Sequence, residues 1–311
     1  MGSRFSSEEI KAEAKRLGFF ACGIAKAHPV DNDVAQYYRH WIASGGHADM
    51  QYLANNLDKR LDPTLLLEGA QSIVVVALNY APAHSIPKEE YQLAVYAYGQ
   101  DYHEVLKSRL RQLQQAVPFS SSDSKIATDT VPILERYWAW QSGLGFIGRN
   151  HQLIIPQAGS MFFLGEIITT AEFDHYDSPM PNRCGTCNQC LEACPTGALR
   201  TNSFSSRLCL SYQTIENRSE IAEEVKDKLG TTIYGCDRCQ EVCPWNRFSS
   251  PTDIPELQPS SELLGMRRDD WRRLSVDDYR RLFKGSAVKR AKYEGLMRNI
   301  RAVEENSSSA E

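Results

Sequence analysis

The chain lacks any long hydrophobic run. Its longest unbroken aliphatic stretch, Ile73 to Leu78, is far below the ~20 apolar residues that a helix needs to cross a bilayer. No charged-then-apolar signal opens it, so a cytoplasmic setting without membrane attachment is expected. A phosphate-cradling P-loop string and solenoid repeats are also missing. Neither sign of charge dominates, with 35 Lys plus Arg against 39 Asp plus Glu and a net charge of −4, which counts against a uniformly basic nucleic-acid binder. Cysteine is scarce over most of the 311 residues. Of nine, Cys22 stands alone and eight fall between positions 184 and 243. A disulfide-stapled exported domain would be short and loop-rich, so this clustering points to metal instead.

What is present before residue 175 alternates between helical and strand patterns. Ser6 offers a cap ahead of Glu8 and Glu9 for a helix ending near Gly18. A second helix is predicted from Asp31 to Ala43. Ile73–Leu78 is β-branched without polar alternation and predicts a strand covered on both faces. Gln92–Tyr98 is a strand candidate, and His103–Val117 reads as helix from the spacing of Val105, Leu106, Leu110, Leu113 and Val117. Phe119–Ser124 reads as an exposed loop, Pro132–Trp140 as helix, and His151–Ile155 and Met161–Thr170 as strands. The fold class is therefore α+β, an α/β sandwich over residues 1–175. A cysteine-rich module follows over 176–250, with a helical stretch expected around Ser219–Leu229. Residues 251–311 form a stiff Pro251–Pro259 connector, a basic helical segment and a polar tail from Glu304 expected to fray.

Cys184-x2-Cys187-x2-Cys190-x3-Cys194-Pro195 is the strongest chemical signal. Short spacers let three thiolates converge on one face of an iron–sulfur cube, and in two-cluster ferredoxins the cysteine before the proline serves the other cluster. Cys236-x2-Cys239-x3-Cys243-Pro244 repeats the ending, and Cys209 lies upstream. Crossover assigns Cys184, Cys187, Cys190 and Cys243 to one [4Fe-4S] cluster and Cys194, Cys209, Cys236 and Cys239 to a second. Structural zinc is the competing reading of paired C-x2-C elements. Gly143-x-Gly145-x-x-Gly148 matches a dinucleotide string, but a helix precedes it and a strand follows, the reverse of the order that chemistry needs.

Two polar segments stand in apolar surroundings. Tyr98-Gly99-Gln100-Asp101-Tyr102-His103 lies at a junction into a helix, where Asp101 or a neighbour can cap. In Asp129-Thr130-Val131-Pro132-Ile133-Leu134-Glu135-Arg136, burial near Val131, Pro132 and Trp138 would raise the pKa of Asp129 and make it a proton donor, with helix capping the alternative. Between Arg267 and Arg301, twelve basic residues face five acidic ones, a net +7 that leaves −11 elsewhere. Trp271, Tyr279, Phe283 and Tyr293 are interleaved there, which suits a phosphate-tracking surface with apolar anchors, against the alternative of a solvated helical face.

Together these strings resemble the epoxyqueuosine reductase family, cobalamin-dependent iron–sulfur enzymes of queuosine tRNA modification. The resemblance also rests on Lys59-Arg60-Leu61-Asp62-Pro63, on Gly148-Arg149-Asn150, on Gly159-Ser160, on Cys209-Leu210-Ser211-Tyr212 and on Cys243-Pro244-Trp245-Asn246. It implies a nitroreductase-like cobalamin domain related to that of reductive dehalogenases, then a ferredoxin-like domain with two [4Fe-4S] clusters. It further implies reduction of epoxyqueuosine to queuosine at the wobble base of a tRNA, the last step of queuosine biosynthesis, by a monomer fed from an external electron donor. Asp129 would be catalytic beside the cobalt, with Arg60, Tyr98 (through its backbone), Asn150 and Ser160 near the corrin. Asp101-Tyr102-His103 is followed by Glu104, Val105 and Leu106, so the D-x-H-x-x-G string that places histidine on cobalt is missing, as in the family. The tRNA would meet Arg207, Ser211, Tyr212, Arg272, Arg273, Arg280 and Arg281. The stretch Ser203-Phe204-Ser205-Ser206-Arg207 before Cys209, where an Asp-Ala pair is common in the family, and Gln213 in place of a usual apolar residue depart from its pattern.

Overall fold

The computed structural model describes residues 5–116 and 123–308. Its centre is a four-stranded antiparallel sheet in the order Ala21–Lys26, Ser72–Asn79, Phe162–Thr169, Ser124–Ala127. The unbroken apolar run of the second of these strands has the predicted cause. Alternate side chains enter different cores: Val74, Val76 and Leu78 pack with Ile10 and Ala14 of the helix Ser7–Arg16 and with Leu106, Leu110 and Leu113 of the helix Tyr102–Ala116. Ile73, Val75 and Ala77 pack with Ile133, Trp138 and Leu153 on the other face, beneath the helix Glu135–Gln141. Each buried Val or Leu contributes roughly 1.5–3 kcal/mol. Gly165, paired with Val76, lets the long helix approach, because a Cβ there would stand 2.8 Å from Leu110 Cδ1.

Local signals held at several ends. Ser6 Oγ accepts from Glu9 N–H at 3.2 Å and caps the first helix. Other expectations shorten. Gln92–Tyr98 keeps only Gln92–Leu93 as strand, because Asp237 Oδ2 takes the Val95 N–H at 2.7 Å and the chain turns into a 3-10 helix over Val95–Ala97. That short strand pairs in parallel with Thr232–Tyr234 of the cysteine-rich segment. The helix expected from Pro132 starts at Glu135, and Ser219–Leu229 is helical only over Glu223–Lys226. Phe119 to Ser122 lie outside the described residues, while Ser124 begins a strand.

The C-terminal region differs most from expectation. Pro251–Pro259 is a packed strap rather than a free connector: Thr252 N–H donates to Ala81 O at 2.8 Å, and Ile254 and Leu257 are buried with the first domain. Trp271, Tyr279 and Phe283 are core residues, not surface anchors, and they share a third core with Tyr91, Leu93, Tyr98, Ile233 and Tyr234. Many of the cations serve internal bridges. Arg267 lies 3.5 Å from Glu90, Arg290 lies 2.8 Å from Glu216, and buried Arg298 donates to the carbonyls of Gln213, Asn217 and Ser219. Arg272 pairs with Asp269 and Glu304, Arg273 with Asp269, Arg280 with Asp277, and Arg281 with Glu262 and Asp278. The tail does not fray at Glu304, because the helix Lys292–Ser308 runs through it. Among the described residues no helix is long and apolar enough to cross a membrane.

Candidate active site

Asp101 caps the helix Tyr102–Ala116, accepting from His103 N–H at 3.1 Å, and its Oδ1 also meets His103 Nδ1 at 2.7 Å. The other ring nitrogen, Nε2, lies 2.8 Å from Asp129 Oδ2. With a carboxylate at each nitrogen, both must donate, so the ring is an imidazolium. The hydrogen bonds from Asp101 and Asp129 push its pKa up to about 9. Tyr102 stacks on His103, ring centroids 4.1 Å apart, and its hydroxyl donates to the same Asp129 oxygen at 3.1 Å.

This arrangement reverses the expected protonation of Asp129. Loss of water contacts raises its pKa, but the hydrogen bond and charge of His103, the Tyr102 hydroxyl and Arg136 outweigh that, and the carboxyl is held below the usual aspartate range. The proton belongs to His103, one hydrogen bond away. Nor is Asp129 a helix cap, since Leu134 holds the position before Glu135 and makes no side-chain cap. Asp129 instead occupies a left-handed turn with φ +44°. Its N–H donates to Glu135 Oε1 at 2.5 Å, and burial pushes Glu135 up to about 7. Arg136 is exposed and close enough to act electrostatically on Asp129, Glu135, His151 and Tyr80. Arg136 thus ties those groups to one neighbourhood, the chamber, beside the cysteine-rich segment, where Gln240 donates to Tyr80 Oη at 3.2 Å and Asn150 to Cys239 O at 3.2 Å.

The cysteines divide into the two expected sets. Cys184, Cys187, Cys190 and Cys243 all line one cavity of about 470 Å³, closed by Pro244, Trp245 and Phe248. Cys209 is within electrostatic reach of Cys194, and Cys236 and Cys239 of Cys209. Cys190 also acts on Cys239, which brings the two sets side by side. Cys190 and Cys239 sit on matching short helices, Gln189–Glu192 and Arg238–Glu241, that pack on one another. Among the described residues no three His, Cys, Asp or Glu side chains are gathered tightly enough for a single ion. Thiols ranged around a cavity suit a multi-iron cube better than one tetrahedral zinc. Burial pushes Cys22 up to about 12, as befits a bystander apart from these sets.

The remaining expected positions part company. Arg60 is buried and donates to Tyr52 O at 3.0 Å, while its Nε has no partner. Asn150 and Ser160 are buried at the seam with the cysteine-rich segment. Ser160 N–H donates to Asn246 Oδ1 at 2.6 Å, and its carbonyl accepts from Gln240 at 3.1 Å. Tyr98 lies in the third core, so its ring is no site residue. Arg207 is exposed, 3.9 Å from Asp49, and Tyr212 donates to the same carboxylate. Ser211 is half-buried beside them. Tyr52 lies under Arg290 at 5.7 Å and is within electrostatic reach of Asp129. His103, Glu135 and Arg136 were missed as functional groups because each acquires its role from a distant partner.

A family profile described as "Epoxyqueuosine reductase QueG, DUF1730" matches residues 60–130, and one described as "4Fe-4S double cluster binding domain" matches residues 183–246. The epoxyqueuosine reductase of Cellulophaga algicola is 41% identical over 297 residues, 94% of this chain and 96% of that one. That of Gloeobacter violaceus is 37% identical over 310 residues, 96% and 95% of the two chains. A crystal structure of epoxyqueuosine reductase with a tRNA-Tyr epoxyqueuosine-modified stem loop superposes with a TM-score of 0.85 at 28% identity, covering 95% of this chain and 80% of its own. A Bacillus subtilis epoxyqueuosine reductase, solved with its catalytic loop swung out of the active site, superposes at 0.87 with 27% identity, covering 97% and 82%.

Proposed function

The chain belongs to the epoxyqueuosine reductase family, and from that premise we propose that it reduces epoxyqueuosine to queuosine at the wobble base of a tRNA anticodon with cobalamin and two [4Fe-4S] clusters. The observation that carries the catalytic reading is the His103–Asp129 contact, which sets a proton one hydrogen bond from a partly exposed carboxylate.

Removing an epoxide oxygen as water consumes two electrons and two protons. Bound cobalamin would supply the strongly reducing metal centre for the C–O bond, and the clusters would supply electrons one at a time. Arg60 fits the cofactor, since its buried Nε lacks a partner and can donate to an amide of the corrin periphery. Asn150 and Ser160 hold the adjoining seam in place. The chain's own contribution is proton delivery. Asp129 presents its carboxylate at the chamber, with its side chain still 54% exposed. As negative charge grows on the epoxide oxygen, one of the two protons passes from the His103 imidazolium through Asp129 while Asp101 retains the imidazole, and the second comes from solvent, which recharges the ring before oxygen leaves as water. The target base has to be extruded from the anticodon stack to reach the chamber. Arg207, exposed and 3.9 Å from its partner Asp49, would meet the RNA backbone around that base.

The test is anaerobic reconstitution. Asp129→Asn should bind cobalamin and both clusters, read from visible spectra and iron and cobalt counts, yet lose turnover of epoxyqueuosine-containing tRNA by about 10²-fold or more. Undiminished turnover would remove Asp129 from proton delivery.

A further inference from the structure

The strand Phe162–Thr169 carries one ionisable residue, Glu166, whose two carboxyl oxygens are fully buried and have no hydrogen-bond partner. It shares a sheet face with Leu164 and Ile168, the face covered by the helix Glu135–Gln141. An ionised carboxylate there would cost many kcal/mol, so Glu166 holds a proton. Above it, Glu135 Oε1 fastens the Asp129 N–H at 2.5 Å. That contact fixes the left-handed turn of Asp129, φ +44°, a conformation aspartate tolerates better than most residues with a Cβ.

We propose that Glu135 is the positioning residue that holds Asp129 toward His103, and that Glu166 is its proton-bearing partner, so that of the two carboxyls Glu135 carries the charge and Glu166 the proton. The proposal rests on the reading of Asp129 as the proton-delivering group. A carboxyl at the start of this helix and another buried on the strand beneath it cannot both ionise cheaply. Glu135 ionises first, at about 7, and its charge together with burial holds Glu166 well above the ordinary range. The groups facing Glu135 are Asp129 from the preceding loop, Arg136 from its own helix, Tyr102 and His103 from the helix Tyr102–Ala116, and Glu166 from the sheet. Of the other strands under this helix, Ser72–Asn79, Phe146–Ile147 and Leu153–Ile154 bear no charge, and Lys26 of Ala21–Lys26 points over the Tyr176 ring. A charged acceptor grips an amide about twice as strongly as a neutral one. Asp129 is therefore held more firmly above pH 7 than below it.

The experiment uses the reconstituted holoenzyme with three readouts. In hydrogen exchange above pH 7, Glu135→Ala should speed exchange at the Asp129 amide by about 10-fold or more, and Glu135→Gln, which keeps only a neutral acceptor, should speed it by less. In pH profiles, kcat should fall below about pH 7 in the wild type, and Glu135→Gln should lose that limb. In infrared spectra, Glu166→Gln should abolish a protonated-carboxyl band at neutral pH, and Glu135→Gln should shift the pH at which that band disappears to a lower value. Wild-type exchange at Asp129 in Glu135→Ala, or an unaltered acid limb in Glu135→Gln, would overturn the positioning role. A band untouched by Glu166→Gln or unmoved by Glu135→Gln would overturn the pairing. Full turnover by Asp129→Asn alongside fast exchange in Glu135→Ala would instead refute the role of Asp129 and leave the positioning intact.

Discussion

His103 Nε2 stands 2.8 Å from Asp129 Oδ2, and the proton between them resides on the ring. Removing one of the two carboxylates on that ring should lower its pKa from about 9 toward the ordinary histidine value. In Asp129→Asn the change is readable by NMR of the His103 ring protons.

A stability consequence carries the same sign. A histidine raised on folding contributes stability that is complete below pH 6.5 and disappears as pH rises through about 9. Asp129→Asn gives up part of it. The melting temperature of the variant should trail the wild type at pH 6 and converge with it above pH 9, measured on matched holoproteins.

Cysteine substitutions should report the two ligand sets separately. Cys243→Ser removes a ligand from the cavity shared with Cys184, Cys187 and Cys190, and Cys209→Ser removes one from the other set. Each should lower the iron content from about eight per chain toward about four. Electron paramagnetic resonance should show a different cluster signal lost in each. Zinc in place of iron in the wild type would dispose of both assignments.

The strap behind the chamber offers a steric test. A Cβ on Gly99 would stand 2.5 Å from Leu257 Cα, a backbone atom that cannot swing aside. Gly99→Ala should therefore destabilise the protein by about 1–3 kcal/mol, measured by denaturant midpoint.

RNA binding should distinguish Arg207 from the C-terminal helices. Both arginines are exposed, but Arg280 lies 3.3 Å from Asp277 on its own helix, whereas Arg207 reaches no nearer than 3.9 Å to Asp49. Arg207→Glu should weaken tRNA binding and reduce the slope of log K against log salt by about one. Arg280→Glu should change that slope little. The reverse ranking would return the RNA surface to the C-terminal helices.

What could be read from the sequence was what neighbouring residues determine. Ser72–Asn79 declared itself through β-branched side chains that need two cores, and the cysteines through spacers short enough to gather thiols on one cluster. The charge state of Asp129 was not legible, because it depends on His103, twenty-six residues away on another element. Burial alone was visible in the string around Val131 and Pro132, and burial alone gives the wrong sign. The basic stretch misled for a related reason. Composition counts Arg298 and Arg290 as positive charges but cannot show that one is buried on carbonyls and the other locked to Glu216. Glu166 did leave a signal, a lone carboxyl within an apolar strand.

The parallel pairing of Gln92–Leu93 with Thr232–Tyr234 bears on how the chain unfolds. The third core draws side chains from before, within and after the cysteine-rich segment. Loss of the cubes should then be felt at the proton-delivering end as well, and the protein should melt as one cooperative unit rather than shed a ferredoxin-like piece. Oxygen damage at the thiols becomes a threat to the whole molecule.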